Sequence, residues 1–252
     1  MIRTAVVLCI ALGAPAWAQS FEVASIKKSP PPDPNRSISG FQVPGGGRFS
    51  TVNTPLRMML TFAYDVQDYQ IAGGPGWANS ETYDITAKAA ANATPPELRT
   101  MLQTLLRERF KVAVRRETRE GPVYELVAAK GGAKIQADTT SPRTFMMQRG
   151  RGRASAQKAT MEMFTRSLGI LVGRPVVDKT GLGSTYTFEL SWTPEPGQGG
   201  VAGPAGNEPA PADSNGPSLF TAVQEQLGLQ LKAAKGPVEY LVIESAEKPS
   251  EN

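Results

Sequence analysis

Apolar positions recur along this chain in two spacings. Leu56, Met59, Leu60 and Ala63 lie three and four apart, the pattern of one helix face, with Asn53 and Thr54 before them as candidate N-caps. Leu98, Met101, Leu102 and Leu105 repeat that spacing behind Pro95-Pro96-Glu97, and proline is tolerated in a first helical turn. Tyr69 and Ile71, then Tyr83 and Ile85, alternate on either side of Gly73-Gly74-Pro75-Gly76, which predicts two strands around a turn. Val112 and Val114 alternate with charge, as in a strand with one wet face. Gly121-Pro122 then predicts a hairpin turn into a strand over 123–127. The succession returns downstream: helices over 161–171 and 219–227, and strands at Val176-Val177, 186–192, 229–231 and 238–243. Phe21, Val23 and Ile26 predict an extra strand ahead of the first set.

The two series also match in residue identity. Leu98-Arg99-Thr100-Met101-Leu102-Gln103 pairs with Leu219-Phe220-Thr221-Ala222-Val223-Gln224. Gly121-Pro122-Val123-Tyr124-Glu125-Leu126-Val127 pairs with Gly236-Pro237-Val238-Glu239-Tyr240-Leu241-Val242. Weaker matches, Gly47-Arg48-Phe49-Ser50 with Gly152-Arg153-Ala154-Ser155 among them, keep the same order. The chain is therefore expected to be α+β, made of two tandem, internally duplicated units. Each reads strand-helix-strand-strand-helix-strand-strand, with helices packed on a small, mostly antiparallel sheet. The expected layout is a signal peptide at 1–18, a first repeat at 19–137, a linker at 138–151 and a second repeat at 152–252. A Pro/Gly-rich insertion at 194–216 is expected to be disordered, and the four prolines within 29–36 mark a further linker.

The first residues carry the anatomy of a secretory signal. Arg3 supplies the positive end, 5–12 are uncharged and apolar, and Ala16-Trp17-Ala18 is a small-x-small cleavage pattern, so cleavage is expected before Gln19. The apolar stretch is shorter than the roughly 20 residues a membrane span needs. No integral membrane segment is expected after cleavage, and the mature protein is expected in the periplasm or outside the cell.

Composition narrows the chemistry. The chain has no histidine, and its one cysteine, Cys9, lies in the expected signal. Histidine-based hydrolysis, cysteine proteolysis and thiol or imidazole metal sites are excluded for the mature chain. No cofactor or metal is expected. Formal charge falls from +4 to +3 on removal of Arg3 (27 − 23 becomes 26 − 23), too little to imply a polyanion partner. The basic run Arg107, Arg109, Lys111, Arg115, Arg116 and Arg119 has only Phe110 interleaved, so it reads as a solvated helix end and strand face, with no nucleic-acid partner expected.

Two motifs invite chemistry. Asp178-Lys179-Thr180-Gly181 has the letters of a phosphorylated aspartate site, but lies between predicted strands without a nucleotide domain, so it reads as a turn. Gly73-Gly74-Pro75-Gly76-Trp77 reads as a tight connection whose tryptophan packs on the core, or else as a ligand loop with Trp77 as a stacking surface. Tyr64, Asp65, Asp68 and Tyr69 lie close by in sequence. The candidate ligand-binding set is Tyr64, Asp65, Tyr69 and Trp77, with no catalytic residue assigned. Asp65 and Asp68 as an acid pair are the alternative that glycoside cleavage would use.

Phe21-Glu22-Val23-Ala24-Ser25-Ile26-Lys27, Ala63-Tyr64-Asp65-Val66, Gly73-Gly74-Pro75-Gly76-Trp77, Arg174-Pro175-Val176-Val177-Asp178-Lys179-Thr180-Gly181-Leu182 and Glu247-Lys248-Pro249 together resemble a large family of exported, soil-associated bacterial proteins of unknown function. The resemblance implies secretion and many paralogues, and an association with membrane sensor-peptidases of the antibiotic-sensing type. It brings no catalytic residue. More distantly, a duplicated helix and strand-pair module is similar to the periplasmic modules of secretins and TonB-dependent receptors. The functional expectation is an exported, non-enzymatic binding or protein-interaction module for an unknown protein or small-molecule ligand. The alternatives are an extracytoplasmic carboxylate-type hydrolase, or a ligand-sensing accessory to a membrane signalling peptidase.

Overall fold

A computed structural model describes residues 20–30, 40–138, 146–150, 152–194 and 216–250. The expected signal at 1–18, most of the proline-rich stretch at 29–36 and nearly all of the insertion at 194–216 lie outside the described residues.

Eleven strands and five helices occur among the described residues. The first series is β1 (Val23–Lys28), β2 (Gly40–Gly45), β3 (Arg48–Pro55), α1 (Leu56–Tyr64), β4 (Ile71–Gly73), α2 (Trp77–Ser80), β5 (Thr82–Lys88), α3 (Pro95–Arg109) and β6 (Ala113–Ala128). The second is β7 (Met146–Gly150), β8 (Arg153–Ala159), α4 (Met161–Val172), β9 (Val176–Asp178), β10 (Tyr186–Ser191), α5 (Leu219–Leu227) and β11 (Leu229–Ser245). The fold is α+β, as expected. β7 falls within the stretch read as a linker and pairs antiparallel with β8.

Helix ends follow local chemistry. Thr94 and Glu97 form a reciprocal capping box at the start of α3, with proline in its first turn. Thr160 and Ser218 accept hydrogen bonds from Met163 N–H and Thr221 N–H at the starts of α4 and α5. Helix α1 differs from expectation. Its N-cap is Pro55, without a side-chain cap. Asn53 instead adopts φ 49° and its N–H donates to Asp84, while the Thr54 hydroxyl donates to the Val52 carbonyl.

The sheets run β1-β5-β3-β2, β10-β8-β7 and β4-β11-β6-β9. All pairings are antiparallel except β4 with β11 and β9 with β6. The third sheet corrects the hairpin reading of Gly121-Pro122. No turn forms there: β6 and β11 are continuous strands, paired along their whole lengths from Leu229↔Ala128 to Ser245↔Ala113, with Gly236 opposite Gly121. Proline is tolerated mid-strand because its nitrogen faces away from the partner. Tyr124 N–H points outward to the Pro175 carbonyl at 2.8 Å, so Pro122, two residues earlier, has its nitrogen on that same outer side. Glu239 likewise turns its carbonyl outward to Gln70, placing the Pro237 nitrogen outside β11.

Each long strand serves both cores. The first core gathers Phe49, Leu56, Met59, Leu60, Leu98, Leu102 and Phe110, and it includes Leu241 and Ile243 from the far end of β11. The second gathers Phe164, Leu168, Leu190, Leu219 and Leu229, and it includes Leu126 from the far end of β6. The C-terminal stretch of each long strand thus packs in the other series' core. Burying Leu126, Leu241 and Ile243 is worth about 1.5–3 kcal/mol for each side chain, so the exchange is a substantial part of the stability.

Candidate functional site

The seam between the two series holds three of the four candidate residues. Helix α1 stops at Tyr64 because Asp65 takes a left-handed conformation, φ 55° and ψ 41°. The chain then closes a 3₁₀ turn over Asp68–Gln70, held by Gln67 and Gln70 as a capping box. These two bends bring Tyr64, Asp65 and Tyr69 against side chains from three other elements.

Helix α3 presents Arg99, Gln103 and Arg107 four residues apart, on one face. Gln103 donates to the Ala63 carbonyl at 2.7 Å and Arg116 of β6 to the Tyr64 carbonyl at 3.2 Å, satisfying carbonyls at the end of α1. Asp65 lies between an arginine of its own series, Arg99 (2.9 Å), and one of the other, Arg166 of α4. Arg99 also lies over the Phe62 ring at 5.6 Å, and its Nε is buried with no hydrogen-bond partner among the described residues. One turn beyond Arg166, Gly169 leaves room for Tyr69: a Cβ there would lie 2.8 Å from the Tyr69 hydroxyl.

Electrostatics set the protonation states. Burial raises the Asp65 carboxyl, but hydrogen bonds and charge from Arg166 and Arg99 outweigh it, and the net pKa is lowered. Asp65 is therefore an anion at neutral pH. Burial raises the Tyr64 phenol against the opposing pull of Arg107 and Arg116. Burial pushes Tyr69 up to about 12, against the pull of Arg166. Both phenols are hydrogen-bond donors at neutral pH.

The remaining candidates go elsewhere. Trp77 opens α2, meets the Tyr83 ring edge-on at 6.4 Å and packs against the first core. The adjoining glycines permit close approach of backbone to backbone: Gly73, at φ 72°, has room for no Cβ because the Ile243 carbonyl would lie 2.9 Å away. Asp68 is not paired with Asp65. It accepts from Arg57 Nε at 2.6 Å, while the same guanidinium donates to the Asp68 and Ile71 carbonyls. Arg57 and Asp68, with Pro55, Met58 and Asn79, line a cleft of about 400 Å³. Asp178 accepts from both the backbone and the hydroxyl of Thr180, a turn-forming contact.

The seam residues that sequence reasoning missed are Arg99, Arg166, Gln103 and Gly169. Three of the six residues of the basic run meet acidic neighbours: Arg115 and Arg119 meet Glu117, Arg115 also meets Glu244 at 3.3 Å, and Arg116 meets Glu239. No helix among the described residues is long and apolar enough to cross a membrane.

A family model described as a protein of unknown function, DUF3738, matches residues 57–246. No curated protein and no solved structure matches the chain.

Proposed function

We propose, for a chain that belongs to the DUF3738 family of proteins of unknown function, an exported, non-enzymatic binding or protein-interaction module made of two diverged copies of one α+β unit. The carrying observation is the state of the acids. Asp65 ends on Arg99 and Arg166, Asp68 on Arg57 and Glu239 on Arg116. A hydrolase of carboxylate type needs one acid kept protonated and a second free to act, and Asp65, held below its ordinary value between two arginines, is suited to neither role. What the arrangement favours is recognition: donor-rich arginines and phenols at a seam, and an open strand edge able to accept an extended partner.

The duplication is supported by element order, since β3-α1-β4-β5-α3-β6 recurs as β8-α4-β9-β10-α5-β11. It is supported also by pairing, since equivalent glycines Gly121 and Gly236 face each other at the crossing of the long strands. Each short parallel strand joins the other series' long strand, β4 to β11 and β9 to β6. Export is supported by the anatomy of residues 1–18, and mass spectrometry of the protein recovered from outside the cytoplasm should find Gln19 at the N-terminus.

The test of function is a thermal-shift screen of residues 19–252 against glycans, peptides, antibiotics, lipids and metal ions. A true ligand at 100 times its Kd adds about 2.7 kcal/mol to native stability. A hit that Arg166→Ala weakens places recognition at the seam. Turnover of any screened glycan or peptide would overturn the non-enzymatic reading.

A further inference from the structure

Among the described residues, the outer edge of β6 is unoccupied over much of its length. Its even-numbered residues turn N–H and C=O away from β11, as the outward bonds of Tyr124 N–H and the Leu126 carbonyl show. β9 covers that side only from Tyr124 to Leu126. Val114, Arg116, Thr118 and Glu120 have no backbone partner on that side among the described residues. Arg116, Thr118 and Glu120 are also exposed. We propose that this edge pairs antiparallel with the same edge of a second copy of the chain, about a two-fold axis at Thr118.

The register is set by charge and by hydrogen-bond parity together. With Thr118 opposite its own copy, Arg116 faces Glu120 and Glu117 faces Arg119, each twice by symmetry, so four cross-strand pairs all join opposite charges and extend the pairs that Arg116 makes with Glu239 and Glu117 with Arg119 within each copy. Moving the axis one residue to Glu117 sets Glu117 against itself and Arg115 against Arg119, which is repulsive. At the Thr118 axis the outward-facing residues Arg116, Thr118 and Glu120 oppose one another, so their free N–H and C=O groups meet. The overlap runs from Val114 to Pro122. It fits between Lys111, where the chain bends away at φ 49°, and Tyr124, where β9 begins. Such an overlap is short, which places the contact among weak, concentration-dependent associations. The inference deepens the interaction-module reading by naming the occupant of the open edge.

Sedimentation velocity of the mature chain from micromolar to millimolar concentration tests it. The native chain should shift from monomer to dimer. Thr118→Pro removes an outward N–H without touching the β11 ladder, as native Pro122 does on the same side, and should weaken association about tenfold or more with the melting temperature kept. Arg116→Glu and Glu120→Arg should each be monomeric alone, yet form a heterodimer when mixed, because each restores the other's complement. Should one variant fail to fold by circular dichroism, the other arm still decides. A native chain monomeric throughout, a Thr118→Pro chain that associates as tightly, or a mixture no better than its components would overturn the proposal. A monomer that still gives a thermal-shift hit would sink the self-pairing and leave the binding reading intact.

Discussion

Asp65 is an unusual choice for its backbone. Helix α4 ends on Gly173 at φ 67°, where glycine takes the left-handed conformation without penalty. At Asp65 the charge joins two arginines from different series. We expect Asp65→Asn, which tolerates the same backbone, to cost about 1 kcal/mol at neutral pH, since both bridges are partly exposed. The folded carboxyl titrates below its ordinary value. Its contribution is therefore complete above the ordinary carboxylate range and lost as pH falls through the lowered value. Urea unfolding of both proteins at neutral and strongly acidic pH should show the gap closing in acid. A gap independent of pH would mean that the charge contributes nothing. At Gly169, alanine would gain up to about 1 kcal/mol of helix propensity but collide with the Tyr69 hydroxyl. Gly169→Ala alone should destabilise, and adding Tyr69→Phe should recover part of the loss, the contact with the Arg174 carbonyl at 3.2 Å remaining, read as a coupling in a double-mutant cycle.

At the scale of elements, the joint between β4 and β11 rests on glycine. Gly73→Ala combines a left-handed backbone with a contact on the Ile243 carbonyl. A loss of about 2–4 kcal/mol is expected, with faster hydrogen exchange along β4 and the end of β11. A loss under about 0.5 kcal/mol, the range of ordinary surface substitutions, would show that the approach is looser than drawn. Helix positions and most strands were legible because each depends on its own periodicity. The continuity of β6 and β11 was not, since Gly-Pro is a turn signal in isolation and becomes a straight strand only when its mate lies opposite. For the same reason Tyr64, Asp65 and Tyr69 could be grouped from their nearness in sequence. Arg99 and Arg166, 34 and 101 residues from Asp65 (99 − 65 and 166 − 65), carried no local sign of converging there. Trp77 carried two readings, because a glycine-rich connection looks alike in sequence whether it approaches a ligand or a strand.

For the molecule as a whole, the exchange of strand ends between cores couples the two series. Residues 20–138 lack Leu241 and Ile243, so that fragment should fail to fold when expressed alone, by circular dichroism and proton chemical-shift dispersion. A peptide covering residues 229–250 should restore at least part of its order. The intact chain should unfold in one cooperative transition by calorimetry, and two separated transitions would contradict the coupling. The crossing at Gly121 and Gly236 also fixes a sequence of events in time. A polypeptide emerging amino end first, from a ribosome or through a narrow pore, leaves its early core open until β11 arrives. Contacts such as Gln70 with Glu239, 169 positions apart, close only then. The chain thus stays threadable until β11 has emerged, and commits to a shape only then.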